Sequence, residues 1–532
     1  FGDPGSGAWP TDGRSRNCAT GPVAAHVFEA PGTYTVTLIV GDLLGEQATQ
    51  TLVITAEDAD AVFAGTNTVC VSQQADFVGA PAGARQIVTN QFAALAAFFA
   101  PRMRLLLRRG ETWTNAATVR LNAAGPGILG AFGPGAAPVL AVTNASSMLT
   151  LSSSSPRLDD WRIMDIAFDG NLVGAWGLIA NGVVTRLLLL RLSLRDFHGG
   201  LVMPTSILNY YGTTAMYDQI TLADATFTHC VGGGGGNILY IEAQRLSLQG
   251  CVLWDSRNVE HILRTPWLSK AVISHNDMRD QALYKHVVKM HAPGFNAPGL
   301  GSNKFTEVVL LSDNIFVGNA DWTVAIGPQD SSDERVRDVL VERNYFAGNT
   351  NVQVSLLLWA CAVTARNNIF NTANGKFHTC ISVSRRGNEP APVDVRLLNN
   401  TGYSPDTRDF TFVTIAAVAT NTTVLNTLAS APQVKSPVLC AGTGVGLIAD
   451  HNMLTNMPGF IVADPGVAAD FQLMYISPAV NAGAAVAVFD DFAGYPRPVA
   501  GAWDVGAYEF VPETALPAAL GALAALRRRR CN

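Results

Sequence analysis

Six stretches of this chain carry the same pattern, and that repetition restricts the possible folds more than any other feature. They are Ala271-Val-Ile-Ser-His-Asn276, Val309-Leu-Leu-Ser-Asp-Asn314, Val339-Leu-Val-Glu-Arg-Asn344, Val363-Thr-Ala-Arg-Asn-Asn368, Val395-Arg-Leu-Leu-Asn-Asn400 and Thr423-Val-Leu-Asn426. Each is a short strand-forming run that ends in asparagine, and the asparagines are 38, 30, 24, 32 and 26 residues apart. Three continue into an aromatic residue, as Asn314-Ile-Phe316, Asn344-Tyr-Phe346 and Asn368-Ile-Phe370. One short strand per repeat, with no helical period, describes a coiled solenoid. Asparagine suits a corner because it tolerates left-handed backbone, and stacked copies can hydrogen-bond in a ladder along the axis. The uneven spacing implies a constant coil with loops of different length extruded from it.

At 532 residues the chain exceeds one compact core, so two or more units are expected. Glycine (49) and proline (27), spread among Val, Leu, Ile and Thr, fit many strands separated by tight turns. A net charge of −6 excludes the electrostatic footprint of a nucleic-acid binder. Eight cysteines are present, and Cys230/Cys251 and Cys361/Cys380 are spaced to meet on neighbouring coils, as disulfides or as stacked buried thiols. No Cys/His cluster has zinc-site spacing, and no apolar run reaches the roughly 18 residues of a membrane span.

The N-terminal segment alternates in strand fashion. Phe1-Gly-Asp-Pro4, His26-Val-Phe28, Pro31-Gly-Thr-Tyr-Thr-Val-Thr-Leu38 and Thr51-Leu-Val-Ile-Thr55 follow in order. These residues resemble the PKD domain, an immunoglobulin-like β-sandwich of extracellular proteins, over residues 1–56. The resemblance implies that strands preceding the Phe-Gly-Asp element are missing. Residues 57–67 read as a polar linker. Residues 90–100, rich in alanine and stopped by Pro101, read as a cap helix for a solenoid spanning 68–430. Arg108-Arg-Gly-Glu-Thr-Trp113 resembles the first coil of right-handed parallel β-helix proteins of the pectate-lyase type. The fold expected is therefore all-β, a right-handed parallel β-helix behind a truncated PKD sandwich. Ser477-Pro-Ala-Val-Asn-Ala-Gly483 and Asp504-Val-Gly-Ala-Tyr-Glu509 are similar to the closing segment of bacterial β-helices and place it at 431–510. Residues 511–532, an apolar run before Arg527–Arg530, resemble a PEP-CTERM sorting tail. Together these resemblances imply a secreted or cell-surface bacterial protein.

The densest polar set is Tyr284-Lys-His286, Lys289 and His291, with Arg264 before it and Trp322, Gln329 and Asp330 one coil on. Lys289 and His291 alternate with Met290, so a strand would point them the same way. Polysaccharide lyases and epimerases on the resembled fold use a basic residue to abstract a proton and a cation to neutralise the uronate carboxylate. That resemblance implies catalytic roles for Lys289, His291, His286 and Arg264, and substrate contacts from Trp322, Gln329, Asp330 and Tyr284. The alternative reading of the same residues is a solvated basic strip. Asp330-Ser-Ser-Asp-Glu334 reads either as a weak calcium loop or as a solvated loop start, and no other cofactor is expected. Two functions stay open: a structural, adhesive or glycan-binding solenoid that assembles with copies of itself as oligomer or filament, and a lyase or epimerase acting on an acidic polysaccharide.

Overall fold

The computed structural model describes residues 1–512 apart from 43–45, 204–216, 231–236, 257–259, 293–304, 328–334, 349–350, 373–377, 386, 388 and 500, and apart from the side chains of 152–157, 181 and 378. The chain divides into two compact units, Glu57–Thr306 and Phe1–Ala56 with Glu307–Asn532. Both contain stacked parallel coils, most with short strands, although Leu149–Met164 and Ala167–Leu190 run on for 16 and 24 residues.

In Glu57–Thr306 one coil runs through Ala243–Gln249, Val252–Trp254 and Leu263–Thr265, and the next through Leu268–Ser274, Asp277–Arg279 and Val288–Met290. Every strand pairs in parallel with its counterpart one coil on: Leu246 with Ala271, Leu253 with Met278, Arg264 with Lys289. Alternate residues point inward, so Leu248, Leu253, Leu263, Ile273, Met278 and Val288 are buried in a continuous apolar interior. Each contributes about 1.5–3 kcal/mol on burial, which favours coil upon coil and no other register.

The start of this unit departs from the expected linker. Residues 57–67 hold a helix, Ala59–Val62, and a 3-10 turn, Gly65–Asn67. Phe63 packs with Cys70, Leu106, Ile128 and Phe132 of three successive strands, so the segment lies along the flank of the coils, while Thr68–Ser72 carries Arg85–Val88 on its other edge. The alanine-rich stretch forms a 3-10 helix, Phe92–Phe98, that buries Phe92 and Leu95. The Arg-Arg-Gly-Glu-Thr-Trp element is structural. Arg108 forks onto Asp76 at 2.9 and 2.6 Å, Glu111 caps Ser72 and Gln73 at 2.6 and 2.7 Å, and Trp113 is buried.

In the other unit, Arg335–Glu342, Cys361–Arg366 and Val393–Leu398 stack along one face. Phe316, Phe346 and Phe370 stack along the second, with ring centroids 5.2 and 4.7 Å apart. The asparagines form a column. Asn314 donates to Asn344, Asn344 to Asn368 and Asn368 to Asn400, each through Nδ2 to Oδ1 at 3.0 Å. The corner reading needs one correction. The left-handed residue is the one before each ladder asparagine: Asp313, Arg343, Asn367 and Asn399 have φ of 58, 51, 52 and 50°. Asn426 belongs to that column, with φ 54°, and Thr427 takes the ladder position and donates its backbone N–H to Asn452 Oδ1 at 2.9 Å. Turning the corner and bridging the coils are separate tasks done by adjacent residues.

The left-handed side chains reach outward to the closing segment. Asn367 donates to Asp490 O (2.7 Å), Asn399 to Asp504 O (3.1 Å) and Asn426 to Ala484 O (2.8 Å). Arg497 lies buried among Glu509, Asn367 Oδ1 (3.1 Å) and Gly506 O (2.8 Å). Phe460, Phe471, Val505 and Tyr508 pack on Ile369, Tyr403 and Leu428, so this segment covers the flank of the coils.

Among the described residues the N-terminal segment pairs Gly32–Gly41 with Gln47–Ala56 in antiparallel and bridges Ala8 to Ser15. Asp3 receives His26 at 2.9 Å, and a Cβ on Gly2 (φ 72°) would lie 2.5 Å from Thr35 O, which is why the Phe-Gly-Asp element needs its glycine. Cys70, Cys230, Cys251, Cys361, Cys380 and Cys440 are free thiols, so neither sequence-spaced cysteine pair is a disulfide.

Candidate functional site

Most of the basic set gathers on the third face of the unit Glu57–Thr306. Leu239–Tyr240, Leu263–Thr265 and Val288–Met290 stack in register, placing Tyr240, Arg264 and Lys289 in one outward column while Leu263, Val288 and Met290 point inward. Successive rungs are about 4.8 Å apart. The Arg264 guanidinium lies over the Tyr240 ring, 5.4 Å from its centroid. Its Nε donates to His291 Nε2 at 3.2 Å, and His291 Nδ1 faces the Ala292 carbonyl oxygen at 3.3 Å. The imidazole therefore carries its proton on Nδ1 and presents its lone pair to the arginine.

His291 follows the strand's last residue and is only 6% exposed, so it backs Arg264 and does not stand beside Lys289 on the open face. His286 is buried too. Its ring meets His261 edge to face at 4.9 Å, and its backbone N–H donates to His261 Nδ1 at 2.8 Å. Lys285 pairs with Glu260 at 2.7 Å. Burial first, then the nearby cations, lowers the basicity of all three histidines; His286 falls to about 3, and Arg264 and Lys289 contribute to each shift. All three are neutral at neutral pH. Arg264, Lys285 and Lys289 bring three cations to this part of a chain whose net charge is −6.

Tyr284 sits at a turn with φ 63° and is 81% exposed. Trp322 belongs to the other unit, where it meets Trp359 edge to face at 5.8 Å above Ala325, Leu357 and Val354. Gln329, Asp330 and the whole acidic segment 330–334 lie outside the described residues. Among the described residues no group of three or more His, Cys, Asp or Glu is arranged to hold a metal, and no helix is long and apolar enough to cross a membrane. The residue that sequence reasoning passed over is Tyr240. Its signal was the spacing, since Tyr240, Arg264 and Lys289 are 24 and 25 residues apart, one coil each.

Comparison with known proteins adds the following. The PKD domain model matches residues 2–55. No curated protein matches the chain in sequence. Among solved structures the chain is similar to pectate lyase Pel9A (13% identity, 83% of this chain and 96% of that one, TM-score 0.36). It is also similar to the family 28 exopolygalacturonase of Yersinia enterocolitica (10%, 80% and 84%, 0.39) and to the A-module of the mannuronan C-5 epimerase AlgE4 of Azotobacter vinelandii (13%, 65% and 88%, 0.32). No residue role is carried over from them. The chain has a PKD domain at its N-terminus followed by a parallel β-helix.

Proposed function

We propose that the protein is an extracellular β-helix that binds an acidic polysaccharide along the Tyr240–Arg264–Lys289 column. The observation that carries the reading is the register of Arg264 with Lys289, two cations held about one rung apart on the outer face. An anionic ligand laid along the two cations gains charge-assisted hydrogen bonds. Tyr240 and His291 fix the guanidinium plane before any ligand arrives, which lowers the ordering cost of binding. A flat column along successive rungs suits an extended polymer better than a compact molecule.

Arg264 and Lys289 also have the character of neutraliser and base for a uronate, which keeps lyase or epimerase chemistry as an outcome of the same experiment. The two buried histidines take positioning roles here, because a base has to reach its proton. The test is calorimetric titration with polygalacturonate, alginate and a neutral glucan, with ultraviolet absorbance recorded for a 4,5-unsaturated product. Acidic chains bind and the glucan does not. Lys289→Ala weakens binding about tenfold, the scale of one charged hydrogen bond. Binding that ignores Lys289→Ala and Arg264→Ala, or that is equal for the neutral glucan, refutes the proposal.

A further inference from the structure

The outward column that carries Arg264 and Lys289 does not begin at Tyr240. Two rungs precede it on the same face, within Ala167–Leu190 and Ser193–Val202, and the register runs Ile179, Val202, Tyr240, Arg264, Lys289. The residues before them, Leu178, Leu201, Leu239, Leu263 and Val288, form the matching inward column and are fully buried. Ile179, Val202 and Tyr240 are half-buried. The face is therefore graded along its axis from aliphatic through aromatic to cationic, at about 4.8 Å per rung.

Trp176 adds to the aliphatic end. It pairs with Gly199, and a Cβ on that glycine would lie 2.8 Å from Trp176 Cδ1 and 3.0 Å from Nε1, so the indole lies across bare backbone of the next rung. Among the described residues Nε1 has no hydrogen-bond partner, which leaves the missing side chain at 199 to set where the ring rests. Just before Trp176 the coil bulges. Asp169 pairs with Arg195 and Gly174 with Phe197, so the four residues 170–173 stand opposite the single residue Asp196. They include Leu172 and Val173, 56% and 42% exposed, and Leu172 has left-handed backbone (φ 62°), a costly conformation for leucine.

Continuity in register with the cations says what covers this surface. A carboxylate laid over Trp176, Ile179 and Val202 gives up water and meets no cation of the column there. The C–H face of an uncharged sugar ring gains by covering the same apolar and aromatic surface. One rung is close to the length of one sugar residue in an extended chain, which puts this end about two residues from the cation pair. Building on the acidic-polysaccharide reading, we propose that Trp176, Ile179 and Val202 form a subsite for an uncharged sugar of the same ligand chain. The ligand is then a heteropolymer, with a uronate over Arg264 and Lys289 and a neutral residue further along the face. Uniform polyuronates bind through the cations alone.

Calorimetric titration of the full chain tests this with polygalacturonate fragments of one length, in which none, some or all carboxyl groups have been reduced to alcohols. The partly reduced fragments bind several-fold tighter than the unreduced ones, and the fully reduced ones bind weakest. Trp176→Ala removes the indole and Gly199→Ala displaces it; either abolishes that preference while unreduced fragments still bind. Val202→Lys adds a cation to the column from a half-buried position whose amine reaches solvent, and it reverses the order in favour of unreduced fragments. That variant carries the test if either of the others fails to fold. Equal affinity for unreduced and partly reduced fragments, or a preference that survives Trp176→Ala or Val202→Lys, overturns the subsite and leaves the acidic-polysaccharide reading standing. Binding of none of the acid-bearing fragments overturns both.

Discussion

Glu242 is the most exposed point of the account to measurement, although the side chain itself is fully buried. It sits at the corner between Leu239–Tyr240 and Ala243–Gln249, and neither carboxyl oxygen has a hydrogen-bond partner. Burial raises its pKa from 4.5 to about 8. The folded chain therefore holds a proton here that the unfolded chain releases above about pH 4.5. The sign follows: stability is highest below that pH, falls as pH rises towards 8, and levels off beyond. At about 1.4 kcal/mol per pH unit the full window is worth roughly 5 kcal/mol. Glu242→Gln removes the ionisation and keeps the shape. Denaturant unfolding at pH 5 and pH 8.5 is the assay. At pH 5 variant and parent agree to within about 1 kcal/mol, because a neutral acid and an amide cost similar amounts to bury. At pH 8.5 the variant is more stable by several kcal/mol. Trp267 gives a local readout, since the backbone bonds Ile241 N to Arg264 O (3.0 Å) and Ala243 N to Trp267 O (3.2 Å) bracket the carboxylate. Parallel pH profiles for variant and parent would refute the reasoning.

Three further outcomes are expected. Asn344→Ala strands the Leu311 carbonyl and the Asn314 N–H, bonded to that side chain at 2.9 and 3.1 Å, and costs about 2–5 kcal/mol by denaturant unfolding. Phe346→Ala, in the middle of the ring stack, costs about 3–5 kcal/mol in the same measurement. Of the six free thiols, a disulfide reagent at pH 8 labels the half-buried Cys361 and Cys440 first. Cys230 and Cys251, pushed up by burial to about 12, wait for unfolding; fast labelling of either contradicts the packing.

The coiled architecture was legible where the ladder position holds asparagine, because a side chain that must bridge two coils leaves one residue type in a column. It was not legible earlier in the chain. There the same corner is turned by Asp165, Arg191 and Asp224, with φ of 60, 49 and 52°, but Ile166, Leu192 and Ala225 follow them and are simply buried. Apolar packing tolerates many residues and so leaves no signature. Lys289 and Arg264 stood out by polar density. The burial of His286 and His291 did not, since alternation predicts orientation only within a strand, and this one ends at Met290. Glu242 looks like a surface residue in Tyr240-Ile-Glu-Ala243; only the stacking of the next coil seals it in. The 57–67 segment misled because its polar residues surround Ala59, Val62 and Phe63, which pack on the flank of the first coils.

A double-mutant cycle on acidic-oligosaccharide affinity, with Arg264→Ala, Lys289→Ala and both together, asks whether these two cations grip one ligand. If they do, the losses are non-additive by at least about 0.5 kcal/mol, the scale on which contacting residues couple. Strict additivity, or equal losses from Lys270→Ala on the neighbouring face, contradicts the assignment.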